Sequence, residues 1–375
     1  MSAYDLLSEY VRCDEEKRSL ILENQFSRNL LYQDSFQDME FSPDIVEDVP
    51  AKFELSQTGK FCPKCGREFR DSENFCPDCL VMLKKVSDKI DIKDIKFTPE
   101  MTYEGKNEYS NILDGECLKR INEFDFSLDD LKDILFSIKS QAFKNIDTLI
   151  NENSIILDEL DILDKVFLFA KSFAAVEYKS YGQTLGYFES NRILVDDRQR
   201  DSLQITTLIH ELTHFIMKEL FTRIICTILD AGKNTHIEAV ATYILNYSKL
   251  NELIDEYAAH SVEGRFTVFG YQDYSSFLSI QDNLDSEDGE IAKTIGNTFS
   301  IHIKDMMESF LDVDLRREIK ERFLDDTIEQ PDYRQLAFEN CNRLSDEGFI
   351  KAIGLMLGKI NDCDLEIVHE IESKM

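Results

Sequence analysis

Five consecutive residues, His210-Glu211-Leu212-Thr213-His214, bring two imidazoles and a carboxylate into one short run. On a helix, positions i and i+4 project from the same face, so both rings can reach a single metal ion. Neutral imidazoles leave a divalent ion its positive charge, which lowers the pKa of a bound water towards about 7. Glu211 stands one residue along from His210, where its carboxylate can take that water's proton. The chemistry this spacing supports is metal-assisted attack of water on a polarised carbonyl.

Two histidines do not hold a catalytic ion alone; a third protein ligand is needed. The surrounding elements rank the candidates. A segment without Gly or Pro runs from Ser202, an N-cap candidate, to Asp230, with Ile205, Leu208, Ile209, Leu212, Phe215, Ile216, Leu220, Ile224 and Ile228 on its core face. After Ala231-Gly232-Lys233-Asn234, a second helix is expected over 235–263, stopped by Gly264. If the two form an antiparallel hairpin, levels match where residue numbers sum to about 465, which sets Glu256 within a turn of the two histidines. Glu238 falls opposite residue 227, roughly 20 Å from them, and Thr235-x-x-Glu238 reads as a capping box. A break of the first helix near Phe221 would instead bring Glu238 into range. His260 and His236 complete the set of possible third ligands. His260, Tyr271 and Tyr274 are the candidates for stabilising an oxyanion, and Glu263 for supporting a ligand from behind.

His210, Glu211 and His214, with a downstream glutamate on a separate helix, resemble the gluzincin metallopeptidases. That family often places an acid four residues after the third ligand; here Asp255-Glu256-Tyr257-Ala258-Ala259-His260 has His260 at that position, and Ile237-Glu238-Ala239-Val240-Ala241-Thr242 has Thr242. The second of these segments resembles the ExxA stretch of short-spaced cytoplasmic peptidases related to phage-repressor-cleaving enzymes. The strand candidate at 191–197 resembles the edge strand on which such enzymes pair an extended substrate. The resemblance covers roughly residues 174–265. It implies a zinc-dependent peptidase acting on a peptide or protein substrate, with Glu211 as general base and zinc held by His210, His214 and Glu256, or Glu238 in its place.

A second unit carries a different chemistry. Cys62-Pro63-Lys64-Cys65-Gly66 and Cys76-Pro77-Asp78-Cys79 supply four thiolates in two tight turns, enough to close a tetrahedral site. Gly66 can take the positive φ such a turn needs, and Phe61, Phe69 and Phe75 offer a small aromatic core. The array resembles a zinc ribbon, which implies a structural zinc ion and a role in stability or in docking a protein partner. A filled thiolate site leaves no position for substrate.

Composition bounds the rest. The 375 residues are 43% hydrophobic with a formal charge of −31, which disfavours nonspecific binding to nucleic acid or anionic lipid. Within 59–85 six Lys/Arg stand against four Asp/Glu, too weak a basic balance for a nucleic-acid footprint. No apolar run approaches the roughly 18 residues of a membrane span, and the first residues lack a signal peptide's basic and apolar regions. A cytoplasmic protein with reduced cysteines is expected. The expected organisation is an N-terminal helix and acidic linker over 1–58, the ribbon over 59–82, a linker over 83–125 and the main domain over 126–375. The expected fold class is α+β, mostly helical: a zincin-like domain in which helices over 127–151 and 154–172 precede strands near 174–183 and 190–198, then the HExxH helix and its antiparallel partner. The acidic run at 282–290 reads as a solvated loop. The alternative function is a non-catalytic, zinc-binding regulatory or scaffold protein on the same fold.

Overall fold

The computed structural model describes residues 60–61, 68–69, 73–77, 80, 82–85, 91–153, 155, 157, 160–178, 186–189, 191–267, 286–322 and 342–375. The chain divides into two units, Met1–Thr58 and Gly59–Met375. The first, with the expected N-terminal helix and acidic linker, lies outside the described residues.

Gly59–Met375 is mostly helical. Its strands are β1 (Lys60–Phe61), β2 (Glu68–Phe69), β3 (Lys84–Lys85), β4 (Ala175–Tyr178), β5 (Gly186–Glu189) and β6 (Arg192–Val195). Its α-helices among the described residues are α1 (Gly115–Glu123), α2 (Leu128–Asn153), α3 (Ile162–Lys171), α4 (Asp201–Leu229), α5 (Thr235–Asn246), α6 (Lys249–Phe266), α7 (Ser286–Met307), α8 (Val313–Arg322), α9 (Asp346–Leu357) and α10 (Leu365–Ser373).

Helix α4 organises the body. Its expected core face is buried except for the partly covered Ile228, but so is the opposite side, including Met217, Phe221, Ile225 and Cys226. A helix with buried apolar residues on opposite sides runs through the interior, and α2, α3, α5, α6, β5 and β6 pack around this one. It begins at Asp201, with Arg200 rather than Ser202 at the N-cap and no side-chain cap bond. Its end is closed from outside. Asp230 takes the left-handed conformation, and the Arg120 guanidinium donates to the Ile228 and Leu229 carbonyls at 2.7 and 3.2 Å.

The sheet beside α4 has the order β4-β6-β5, with β4 parallel and β5 antiparallel to β6. This corrects the expectation for 191–197: β6 is the central strand, and the edge facing the helix is β5, which falls between the two expected strands. The turn into β6 uses Asn191 at φ 82°, a conformation asparagine tolerates better than most residues.

The single partner helix expected over 235–263 is two helices, broken at Tyr247 and Ser248. The break is stabilised by Asn251, whose side-chain amide donates to the Ile244 carbonyl at 2.8 Å. Gly264 does not stop the second of them, which continues to Phe266. The cap of α5 also differs from expectation. Asn234 accepts from the Ile237 N–H, so the Thr235-x-x-Glu238 box is not formed and the Glu238 carboxylate is used elsewhere. Helix α7 packs closely on α6, where a Cβ at Gly296 would stand 2.7 Å from the Ile254 carbonyl oxygen. The acidic run is not all loop either, since Ser286 to Glu290 form the start of α7.

The segment expected as a linker over 83–125 is built into the core. Ile92, Ile95, Ile112, Cys117 and Ile121 are buried in the main cluster, and Asn107 bridges to Ala231 beyond the end of α4. In the ribbon region β1 lies between β2 and β3, pairing antiparallel with both. Cys76 is fully buried, but Phe75 is 47% exposed and so does not supply the aromatic core expected of it. Cys62, Cys65 and Cys79 lie outside the described residues.

Candidate metal centre

Helix α4 presents His210 and His214 on one side, one turn apart, with their Nε2 atoms separated by 3.1 Å. Helix α6 crosses in front of them and brings Glu256 to both. Its Oε2 stands 3.7 Å from His210 Nε2 and its Oε1 3.8 Å from His214 Nε2. A tetrahedral zinc ion with bonds of 2.0–2.2 Å sets its ligand atoms about 3.4 Å apart, so these three donors are spaced to share one ion. The side chains of His210, His214 and Glu256 are 14%, 13% and 19% exposed, which leaves the cluster a face towards solvent.

The donors are anchored from behind by carboxylates. Asp255 Oδ2 lies 2.8 Å from His214 Nδ1 and Glu263 Oε2 lies 2.9 Å from His210 Nδ1. Such contacts fix ring orientation and tautomer, turning Nε2 towards the shared space. Burial opposes charge on His214, but Asp255 outweighs it and holds the imidazole's pKa up at about 10. Burial likewise opposes charge on His210, and the Glu263 carboxylate overrides it. Glu263 in turn stays below the usual carboxylate range: burial would raise it, and the bonds from His210 and His260 prevail.

Glu211 is buried on the strand side of α4, where the backbone N–H of Phe188 in β5 donates to its carboxylate. Burial raises its pKa, and the two imidazoles oppose that rise. A carboxylate in a dry site with a raised pKa is suited to accepting and returning a proton.

The expected residues sort clearly. His210, Glu211, His214, Glu256 and His260 converge, His260 Nε2 standing 3.8 Å from Glu256 Oε2. Glu238 does not join them; its Oε1 lies 3.2 Å from both Lys218 and Lys233 in a buried ion-pair network. The register kept Glu238 away from the histidines, as found, but set it opposite residue 227, whereas its carboxylate meets Lys218, because α5 is a separate helix; Glu256 on α6 meets the histidines as the register placed it. His236 sits at the start of α5, 3.5 Å from Glu372 of α10. Tyr271 and Tyr274 lie outside the described residues. Sequence reasoning missed Asp255. Its signal was adjacency to Glu256: neighbours on a helix point about 100° apart, and together they straddle the histidine pair. No protein family, curated protein or solved structure matches this chain.

Proposed function

We propose that this protein is a zinc-dependent peptidase with a zincin-like fold, cutting peptide bonds in a peptide or protein substrate. One observation carries the reading: His210, His214 and Glu256 reach one point from two helices, with Asp255 and Glu263 fixing the rings and Glu211 beside them. A purely structural site has no use for a buried carboxylate at the position of Glu211.

When bound, zinc would acidify a water and polarise the scissile carbonyl. His210, His214 and Glu256 would hold the ion. Glu211 takes a proton from the attacking water and passes it to the leaving amine. Strand β5, an outer strand of the sheet among the described residues, is where an extended substrate would lie. The thiolates of Cys62, Cys65, Cys76 and Cys79 would hold a second, structural zinc in a ribbon that serves stability or docks a protein partner. Among the described residues no helix is long and apolar enough to cross a membrane; a cytoplasmic location is part of this proposal.

The test is Glu211→Gln, assayed with a peptide library and by metal analysis. The variant should keep its zinc and lose on the order of 10²–10⁴ of the cleavage rate. A wild-type chain that binds zinc at the histidine site yet cleaves nothing would favour the non-catalytic scaffold instead.

A further inference from the structure

We propose that His260 is a fourth protein donor to the ion, so that the centre is a three-histidine, one-glutamate site. This rests on the metal centre described above and adds a residue that the three-ligand arrangement leaves out.

Three observations converge on it. His210, Glu256 and His260 each offer one ligand atom, and these atoms lie within 4.8 Å of one another. His260 follows Glu256 by four residues on α6, as His214 follows His210 on α4. Two helices therefore face each other, each presenting an i, i+4 pair of donors across the same space. The third is the way the ring is held. Glu263 Oε2 lies 3.2 Å from His260 Nδ1 and 2.9 Å from His210 Nδ1. One carboxylate thus fixes both rings in the same sense.

That shared carboxylate decides the role of His260. A neutral imidazole that gives its Nδ1–H to Glu263 presents a lone pair at Nε2. A lone pair binds a cation and cannot donate to an oxyanion. The same orientation that makes His210 a ligand makes His260 one.

The consequence concerns coordination number. Four protein donors would fill a tetrahedron, so a water would need a fifth position, an expansion zinc sites accept.

The experiment uses the full chain loaded with Zn²⁺. X-ray absorption at the zinc edge counts imidazoles, and competition with a chelator measures affinity. Three imidazoles at the histidine site are expected in the wild type. His260→Ala should show two, bind zinc about 100-fold or more weakly, and regain affinity on addition of free imidazole. Two imidazoles in the wild type overturn the proposal while leaving the peptidase reading intact, and this count does not depend on the variant folding. Unchanged affinity in a folded His260→Ala chain overturns it as well. A wild-type chain with no zinc on its histidines removes the centre itself, and both ideas with it.

Discussion

At the scale of single residues, the centre depends as much on the acids behind the rings as on the rings. Asp255 engages His214 alone, whereas Glu263 engages both His210 and His260. Removing charge while keeping shape should therefore weaken metal binding without deleting a ligand. Asp255→Asn and Glu263→Gln are each expected to cost 10–100-fold in zinc affinity, read by chelator competition. Glu263→Gln should cost more, because it loosens two rings. Equal and negligible losses would mean that helix packing alone sets the rings. The motif residues were legible because an i, i+4 rule relates them within one helix. Asp255 was not legible because its role depends on how far α6 rolls about its own axis, which local spacing does not encode.

At the scale of elements, the decisive feature is a long, largely buried helix that still carries charges. Glu219, Arg223 and Lys218 of α4 are at most 2% exposed. Glu219 accepts from Arg223 and Lys233 at 2.6 Å each, and Arg223 reaches on to Ser137 and Gln141 of α2. The network ties α4 to α2 and, through Lys233, to the start of α5. Sequence periodicity revealed the helix but not this network, since charged residues on a helix normally mark its solvated side. For the same reason Glu238 looked available for a metal, when its carboxylate is committed to Lys218 and Lys233. Glu219→Gln would leave two buried cations short of a counter-charge and should destabilise the fold by about 3–5 kcal/mol, measured by denaturant unfolding near pH 7. Burial raises the Glu219 pKa, but Lys233 and Arg223 more than reverse it and hold it below its ordinary value. A depressed pKa gives stability that is complete above about 4.5 and is lost as pH falls through the folded-state value. The gap between wild type and variant should accordingly close in acid. A gap that stays constant from pH 7 to pH 3 would show that the pairing contributes nothing beyond packing.

At the scale of the whole molecule, helical content and the small sheet beside the HExxH helix were readable from periodicity, but the extent of the folded body was not. The polar, weakly periodic stretch before Phe126 reads as a linker because its apolar residues are few and widely spaced. Those few are nonetheless buried: Ile92, Ile95, Ile112, Cys117 and Ile121 enter the main core. The same stretch supplies backbone and side-chain partners that α4 lacks at its end. Arg120 caps the last carbonyls, the Asn107 side chain donates to Leu229, and the Tyr103 carbonyl accepts from the Lys233 N–H. Fully burying a large aliphatic side chain contributes about 1.5–3 kcal/mol. Several of them together rival the 5–15 kcal/mol that stabilises a typical domain. A chain cut to residues 126–375 keeps His210, His214, Glu256 and every acid behind them, so a self-sufficient domain would retain zinc and a sharp thermal transition. We expect instead that it loses cooperative unfolding in calorimetry and binds zinc weakly, whereas a chain cut to 91–375 keeps both. Cooperative melting of the shorter chain would return 91–125 to the status of a tether, and the caps on α4 would then be ornaments on an already stable helix.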